Sequence, residues 1–290
     1  MTASAFRAVA RVIASQIAPV GTFTVRRALP DPDRRSVGPF VFLDHLGPFP
    51  VVAGDEGVGP HPHAGIETVT YLLTGRNEHR DSAGHEGIVA AGGAQWMTAG
   101  RGIVHAERPL PEAGQALVQH GLQLWTSLPR ALKMVPPRYQ RIDASDIAQA
   151  SLPGARLRVI AGEVAGVHGP AETLMPTFLA HATVEPGGTL AVDIADSYEA
   201  AAYVIEGEGT FGADAARAVT GELAVYADQP GTLAIANTGT APLQVMLLGG
   251  APAEGPLVFH GPFVMNSLDQ VRAAEVAYRT GRMGSLEPIA

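Results

Sequence analysis

Four residues in the first half of the chain have the types and spacing of a transition-metal site. They form two short pairs, His61 with His63 and His105 with Glu107. In an extended strand, residues i and i+2 project from the same face, so each pair presents its two donor groups in one direction. Imidazole together with carboxylate suits a first-row transition metal, whereas calcium and magnesium sites are built from oxygen. The spacing therefore predicts a metal centre formed by two strands.

The pair His61 and His63 is a weak signal alone, because histidine pairs of this kind are common in surface loops. Two neighbouring features strengthen the metal interpretation. Glu67 follows four residues after His63, and a glycine-rich run brings His105 beside an acid. Burying such carboxylates without a partner is costly, and the charge of a metal removes that cost.

Composition limits the classes of protein that can carry this site. The 290 residues are 46% hydrophobic and 17% charged, which is typical of a well-buried globular protein with one large domain or two ordinary ones. The 28 acidic and 20 basic residues give a net charge of −8, without a basic run, so we expect no direct binding to nucleic acid. Because cysteine is absent, nitrogen and oxygen must hold any metal.

The first 30 residues allow two interpretations. They contain four arginines and no acidic residue, which is weakly like an organelle transit peptide. Arg7 and Arg11 interrupt any apolar signal segment, however, and residues 9–14 and 21–26 have the pattern of two strands joined by a turn. This pattern favours a folded start. No run reaches the roughly 18 apolar residues of a membrane helix, so we expect a cytoplasmic protein without a membrane partner.

Short strands separated by turn residues account for most of the chain, which contains 34 glycines and 23 prolines. A parallel α/β fold needs crossover helices between its strands, and the pattern lacks them, so the sequence predicts an all-β barrel or sandwich. The clearest predicted strands of the first half are residues 40–43, 67–73, 87–90, 94–97, 102–105 and 117–124.

A repeat relates the two halves of the chain. The run Tyr-Leu-Leu-Thr-Gly at residues 71–75 corresponds to Tyr-Val-Ile-Glu-Gly at residues 203–207, an offset of 132 residues (203 minus 71). The runs Leu-Pro at residues 128–129 and Val-Pro-Pro at residues 135–137 indicate a linker between the halves. The sequence therefore predicts two similar β-domains, residues 1–134 with the metal and residues 135–290 without it.

The same offset explains why only the first domain is expected to bind metal. It places Asp193 opposite His61 and Ala195 opposite His63. The second domain therefore lacks the histidine pair. We predict one metal ion per chain.

One helix is predicted near the C-terminus. Ser267 and Gln270 form a capping-box pattern, an amphipathic run continues through Tyr278, and Gly281 stands at a C-cap position. This helix is expected to close the C-terminal half of the chain.

Several other patterns receive no chemical role. Residues 207–212 match G-x-G-x-x-G, but the segment that follows is too short for the helix of a dinucleotide site, so a turn between strands is expected. His79 and His85 are predicted to lie in a polar, glycine-flanked loop, at the surface or at the mouth of the barrel. The histidines without a partner at ligand spacing are His45, His120, His168, His181 and His260.

The histidine stretches resemble those of a known family. Residues 61–67 (His-Pro-His-Ala-Gly-Ile-Glu) resemble the first cupin motif, and residues 96–107, from Trp-Met-Thr-Ala-Gly-Arg-Gly to His-Ala-Glu, resemble the metal segment of pirins. Residues 121–129 and 261–266 are similar to further pirin signatures. The resemblance covers nearly the whole chain. It implies two cupin barrels (jelly rolls, or double-stranded β-helices) in tandem, with a single iron in the N-terminal barrel only.

Carried over to this sequence, the pirin pattern makes His61, His63, His105 and Glu107 the metal ligands. In the general cupin motif the acid at Glu67 is a ligand, but in pirins the acid after the third histidine takes that role. The resemblance therefore implies that Glu67 supports the site, either by orienting a ligand imidazole or by closing an ion pair. Four ligands leave two positions of an octahedron open.

The resemblance also implies an activity, quercetin 2,3-dioxygenation, in which a flavonol loses its 3-hydroxyl proton and O2 cleaves its ring at Fe(II) with release of carbon monoxide. Glu107 is the candidate base, because a carboxylate at hydrogen-bond distance can accept that proton. Phe42, Trp96 and Met97 are candidates either for the apolar walls of the substrate pocket or for the barrel core.

A second function is compatible with the same resemblance. Some pirins are described as transcriptional co-regulators, in which the oxidation state of the iron changes a surface that a DNA-bound protein partner recognises. The metal and the substrate are also open at this point, because the same ligands accept nickel, cobalt, copper, manganese or zinc, and a fold does not name a substrate.

Overall fold

The computed structural model describes residues 5–21, 23–51, 57–110 and 117–287. Strands β1 to β12 are Val9–Ala14, Gln16–Val20, Phe23–Leu29, Phe40–Val51, Val58–His63, Ile66–Thr74, Arg76–Asp81, Glu86–Ala90, Ala94–Thr98, Ile103–Pro109, Leu117–Ser127 and Arg138–Ile142. Strands β13 to β26 are Ala148–Leu152, Ala155–Ala161, Glu163–Val164, Val167–His168, Thr177–Val184, Thr189–Val192, Glu199–Glu206, Glu208–Phe211, Ala216–Val219, Glu222–Tyr226, Leu233–Asn237, Leu243–Gly250, Val258–His260 and Phe263–Met265. A 3₁₀ turn at Arg130–Leu132 and helix α1 at Leu268–Arg279 complete the described elements.

The strands predicted from the sequence are present. The six predicted in the first half correspond to β4, β6, β8, β9, β10 and β11, and all six are longer than predicted. The strands expected near the N-terminus correspond to β1 and β3, while Thr22, in the predicted turn, lies outside the described residues. Residues 207–212 form a turn and β20, as expected for a turn between strands.

The chain divides into two compact units, each built from a seven-stranded and a four-stranded sheet. The unit that we call the first barrel comprises the described residues of Ile17–Val25, Phe42–Ser145 and Ala253–Ala290. The unit that we call the second barrel comprises those of Met1–Gln16, Arg26–Val41 and Asp146–Pro252.

The sheets of the two barrels have matching strand orders. The first barrel has the orders β12-β9-β6-β11-β4-β3-β2 and β5-β10-β7-β8. The second barrel has the orders β1-β22-β19-β24-β17-β14-β13 and β18-β23-β20-β21. Strand β6, with the first copy of the repeated motif, thus takes the same place as β19, with the second copy. The all-β prediction of two related barrels is confirmed.

The two barrels are not formed by two consecutive halves of the chain. Strand β1 supplies an edge strand to the second barrel by pairing with β22, and β12 supplies the corresponding edge to the first barrel by pairing with β9. The division at residues 134 and 135 stays a prediction about the domains. The compact units depart from it, because the second barrel includes residues 26–41 as well as β1, and the first barrel includes the described residues of Ala253–Ala290 as well as β12.

Helix α1 begins and ends where its capping signals predict. The Ser267 side chain accepts a hydrogen bond from the backbone nitrogen of Gln270 at 3.2 Å. At the other end, Gly281 has a φ of 72°, which glycine adopts without strain, and the Arg282 N–H donates to the Ala277 carbonyl at 2.8 Å. Twelve residues long, α1 is too short to cross a membrane, and no other helix among the described residues is long and apolar enough to do so.

Helix α1 packs on the first barrel, although the sequence associates it with the C-terminal half of the chain. Its buried residues Val271 and Ala274 join an apolar cluster with Ala64, Val104 and Met265. Ala64 directly follows His63, and Val104 directly precedes His105. The C-terminal segment therefore forms part of the frame behind the predicted metal ligands.

Candidate metal centre

Two neighbouring strands place three histidines together inside the first barrel. Strands β5 and β10 pair so that His61 lies opposite His105 and His63 lies opposite Ile103. The ring centroids are 4.3 Å apart for His61 and His105, and 5.0 Å apart for each of the other two pairs. His63 and His105 are buried whereas His61 is half-buried, so the cluster opens to solvent on the His61 side.

Backbone carbonyls fix the tautomers of two of these rings. His61 Nδ1 lies 2.8 Å from the Gly59 carbonyl oxygen, and His63 Nδ1 lies 3.0 Å from that of Pro262. A carbonyl oxygen can only accept a hydrogen bond, so Nδ1 carries the hydrogen in both rings. The lone pair of each ring is then on Nε2, the atom left to bind a metal.

The electrostatic state of the cluster also suits a metal. Burial, together with the neighbouring His61, lowers the pKa of His63 to about 3. Burial and the surrounding imidazoles hold the pKa of His105 well below its ordinary value. Both ring nitrogens of His105 are buried without a hydrogen-bond partner in the described structure. Buried polar atoms are rarely left unpaired, so these neutral imidazoles fit a metal ion.

Glu107 is held through one of its two oxygens. Its side chain is only 9% exposed, and Oε1 accepts hydrogen bonds from Thr70 Oγ1 at 3.0 Å, from Asn77 Nδ2 at 3.3 Å and from Gln95 Nε2. Among the described residues, no hydrogen bond ends on Oε2. The carboxylate is therefore fixed in orientation and keeps one oxygen for a metal or a proton.

Two groups of possible ligand atoms share His105. In one group, atoms of His61, His63 and His105 lie within 4.8 Å of one another, and in the other the same holds for His79, His105 and Glu107. The assignment of the first three histidines and Glu107 as the ligand set stays a prediction. Within the part of the chain that the structure describes, the second barrel holds no comparable group.

His79 is a member of the centre that the sequence did not reveal. Its expected position at the surface or the barrel mouth was wrong, because its side chain is fully buried on β7, with its ring stacked 4.4 Å from that of Tyr139. His79 Nε2 lies 3.3 Å from Asp81 Oδ2, and that carboxylate lies 2.9 Å from Nδ1 of the partly exposed His85. Burial would raise the pKa of Asp81, but the hydrogen bonds from both histidines lower it overall.

A signal for His79 was present in strand β7 but was ambiguous. Asn77, His79 and Asp81 are buried, and they alternate with the more exposed residues Arg76 and Glu78. This is the alternation of a half-buried strand. Because both faces are polar, hydropathy cannot tell which of them faces the interior.

Glu67 lies on the opposite face of strand β6 from the centre. Its Oε1 accepts a hydrogen bond from Thr98 at 2.8 Å, and its Oε2 accepts one from Thr126 at 3.2 Å. Thr70, three positions further along the strand, points to Glu107, so strand alternation directs Glu67 away from it. The expectation that Glu67 orients a ligand imidazole was wrong. Burial raises the pKa of the carboxyl, against the opposing effect of Thr98, Trp96, Thr126 and the charge of Arg138, and no histidine is among these groups.

An aromatic pair borders the histidine cluster. Phe42 stacks on Trp125 with ring centroids 4.1 Å apart, and Trp125 meets the His63 ring edge-on at 4.8 Å. Both aromatic side chains are partly exposed. Phe42 therefore suits a pocket wall, and Trp125 is a second wall residue that the sequence did not identify. Trp96 and Met97 are at most 1% exposed, so the alternative that they are core residues holds.

Comparison with models of known families shows the family of this chain. The family model for pirin matches residues 22–126, and the model for the pirin C-terminal cupin domain matches residues 179–284. The chain belongs to the pirin family. The resemblance carried by the histidine motifs is thereby confirmed, and so is the tandem cupin fold.

The chain matches individual pirins and a solved structure over nearly its full length. The chain is 38% identical to a pirin-like protein of Solanum lycopersicum over 260 residues, which covers 90% of this chain and 87% of that one. It is 34% identical to the pirin of Homo sapiens, with 90% and 88% covered. The crystal structure of quercetin 2,3-dioxygenase from Acinetobacter baumannii is similar with a TM-score of 0.90 and 32% identity, over 98% of this chain and 100% of that one.

Proposed function

We propose that this pirin-family protein is a metal-dependent dioxygenase of the quercetin 2,3-dioxygenase type, which cleaves a flavonol-like aromatic substrate with O2. One observation carries the proposal. His61 and the buried histidines His63 and His105, whose pKa values burial lowers, lie beside a carboxylate that has one oxygen fixed by three donors and one oxygen available. The similarity to quercetin 2,3-dioxygenase from Acinetobacter baumannii supports the choice of substrate class.

Fe(II), held by His61, His63, His105 and Glu107, is the cofactor that we propose. When bound, iron supplies the redox chemistry through which dioxygen can react with an organic substrate. The chain's contribution is to present ligand atoms that are already ordered. His61 and His63 direct Nε2 to the site because carbonyls hold their Nδ1–H groups.

Glu107 is the proposed base for the flavonol 3-hydroxyl. Because Thr70, Asn77 and Gln95 all donate to Oε1, Oε2 is the oxygen that would bind the metal and that would also accept the proton when the hydroxyl arrives. The three donors hold the carboxylate plane fixed, so the acceptor does not have to reorganise when the hydroxyl arrives.

The aromatic pair of Phe42 and Trp125 is the proposed binding wall for the substrate rings. Both side chains are partly exposed, and Trp125 contacts His63 directly. A planar flavonol can stack on such a surface while its hydroxyl reaches the carboxylate. Entry on the side of His61 agrees with the partial exposure of that residue.

Aerobic turnover of quercetin by iron-loaded protein tests this proposal. We expect equal consumption of O2 and quercetin, with one carbon monoxide released for each flavonol. His61→Ala should abolish turnover, whereas Asp193→Ala, at the aligned position of the second barrel, should leave it intact. Absence of product from the wild-type protein, or equal product from His61→Ala, would overturn the proposal.

Glu107→Gln isolates the proton step, because an amide keeps the size of the side chain but cannot take the proton. We expect kcat to fall by about 10²–10⁴-fold. Iron content must be measured in the same preparation, since a fall in kcat with full iron occupancy identifies the base. Loss of iron in parallel would instead indicate that Glu107 acts as a ligand only. The alternative of a redox-dependent co-regulator predicts metal-dependent capture of a protein partner without flavonol turnover.

A further inference from the structure

Lys133 is a fully buried cation in the first barrel that the proposed chemistry does not use. Its side chain is 0% exposed, and Nζ donates to the Gly65 carbonyl at 2.7 Å, to Ser127 Oγ at 2.8 Å and to the Val264 carbonyl at 2.9 Å. An ammonium group has three N–H donors, and all three are used. Burial lowers the pKa of Lys133 to about 7, but only the charged form can donate to all three acceptors.

The three acceptors belong to segments that are distant in sequence. Gly65 lies in the turn from β5, which carries His61 and His63, into β6. Ser127 ends β11, and Val264 lies in β26 near the C-terminus. The ammonium group thus ties three parts of the first barrel at one point.

The segment tied by Lys133 is also the one that orients a histidine. The Pro262 carbonyl, two residues before Val264, accepts the hydrogen bond from His63 Nδ1 at 3.0 Å. The Val264 N–H donates to the Ala64 carbonyl at 3.2 Å, so the C-terminal segment runs along the residue that follows His63.

Gly65 allows this close approach. Its φ is +77°, a value that favours glycine, and a Cβ at this position would overlap the Val264 carbonyl oxygen. The absence of a side chain at Gly65 thus lets the Val264 carbonyl pack against it. The ammonium group of Lys133 then bridges the two carbonyl oxygens, at 2.7 Å from that of Gly65 and 2.9 Å from that of Val264.

We propose that Lys133 is a positioning residue for His63, acting through the C-terminal segment. By holding Val264 against Gly65, it keeps the Pro262 carbonyl in place, which in turn keeps the hydrogen of His63 on Nδ1 and directs Nε2 to the metal. The inference rests on the proposed metal-binding function. It assigns to the C-terminal segment a part in the ligand geometry of a centre that lies about 200 residues earlier in the sequence.

Cobalt(II) binding to Lys133→Met tests the proposal, because the visible spectrum of this ion reports the ligand geometry. Loss of a group that orients a ligand typically weakens metal binding by about 10–100-fold, and we expect at least about tenfold weaker binding with a changed visible spectrum. Arg7→Met is the matched control. Arg7 is also a fully buried cation that donates to three backbone carbonyls, but it does so in the second barrel.

The control separates positioning from general damage to the fold. Arg7→Met should lower the melting temperature yet leave the cobalt affinity and spectrum as in the wild type. Ser127→Ala removes one acceptor and provides a milder variant, with a smaller spectral change expected, which decides the matter if Lys133→Met does not fold. An unchanged spectrum and affinity in the folded Lys133 or Ser127 variant would overturn the role of Lys133. If the wild-type protein binds no cobalt, the metal centre itself fails, and this inference fails with it.

Discussion

The two barrels have the same strand order, but aligned interior positions carry polar side chains in the first barrel and apolar side chains in the second. In the first barrel, Thr70 and Gln95 are cross-strand neighbours, and both donate hydrogen bonds within the network that holds Glu107. In the second barrel, the aligned neighbours are Ala202 and Ala224, which belong to its apolar core. The donors around Glu107 are therefore features of one barrel and not of the fold.

The positions of the histidines differ in the same way. Val192 pairs with Leu233 on β18 and β23, so the next pair along the ladder is Asp193 with Thr232, in the places of His61 and His105. Thr232 donates a hydrogen bond to Asp193. The positions that hold possible metal ligands in the first barrel are thus occupied in the second barrel by two side chains that hydrogen-bond to each other.

The second barrel also has a permanent cation beside this position. Arg7 donates from Nη1 to the Tyr198 carbonyl at 2.7 Å, from Nη2 to the Ala195 carbonyl at 3.2 Å and from Nε to the Gly231 carbonyl at 3.0 Å. Ala195 is the residue aligned with His63. The same arrangement of strands can therefore hold either a cluster of possible metal ligands or a set of backbone carbonyls that bind a guanidinium group.

The largest expected effect that can break this comparison is loss of the metal. His105→Ala removes the residue common to both groups of ligand atoms, and we expect no metal to copurify. Thr232→Ala, its counterpart in the second barrel, should retain one metal ion per chain. Elemental analysis of both variants measures this, and two ions per chain in any preparation would contradict the assignment to one barrel.

The next largest effect concerns the cation of the second barrel. Arg7→Met removes the donor to the Gly231 and Tyr198 carbonyls, at about 1–3 kcal/mol for each buried unpaired group, whereas the Ala195 carbonyl still accepts from the Tyr198 N–H. We therefore expect the free energy of unfolding to fall by about 2 kcal/mol or more, measured by urea denaturation. Metal content should not change. A variant as stable as the wild type would mean that water replaces the guanidinium group at little cost.

A smaller effect is expected from making the first barrel more like the second. Gln95→Ala introduces the residue found at the aligned position Ala224 and removes one donor to Glu107 Oε1. Metal affinity should fall by about 10–100-fold, the usual effect of losing a partner of a ligand. Titration with a competing chelator measures the change. The reverse variant, Ala224→Gln, should leave metal affinity as it is.

The smallest effect expected is the pH dependence of the metal-free protein. An unfolded histidine takes up a proton near pH 6.5, whereas burial lowers the pKa of His63 to about 3, so in this window the unfolded state binds more protons. Stability contributed by His63 is therefore lost as the pH falls below about 6.5. Between pH 6.5 and 5 the loss is about 2 kcal/mol at about 1.4 kcal/mol per pH unit.

His63→Gln provides the comparison, because glutamine does not titrate. Both tryptophans lie in the first barrel, so urea denaturation followed by tryptophan fluorescence reports on the barrel that contains His63. The wild type should lose about 2 kcal/mol more than the variant over this pH interval. An equal loss in both proteins would mean that His63 is protonated in the folded state.

Local patterns in the sequence were sufficient to predict many structural features of this protein. The two histidine pairs, the strands, the helix caps and the 132-residue repeat all depend on periodicity or on residues a few positions apart. The second barrel has no histidines at the positions aligned with His61 and His63, so the sequence also predicted that the possible metal ligands lie in the first barrel. Both groups of such ligands among the described residues lie there.

Only the tertiary structure decided which residues surround the histidines. Strand alternation states that Glu67 and Thr70 face opposite sides of β6, but it does not state which side meets Glu107. His79, Lys133 and Arg7 are polar residues whose burial depends on partners 28 to 224 residues away in sequence. The periodicity of a strand fixes the faces of its side chains, while the order of strands in the sheet fixes their neighbours. That order is set by long-range pairing, which no local pattern in the sequence records.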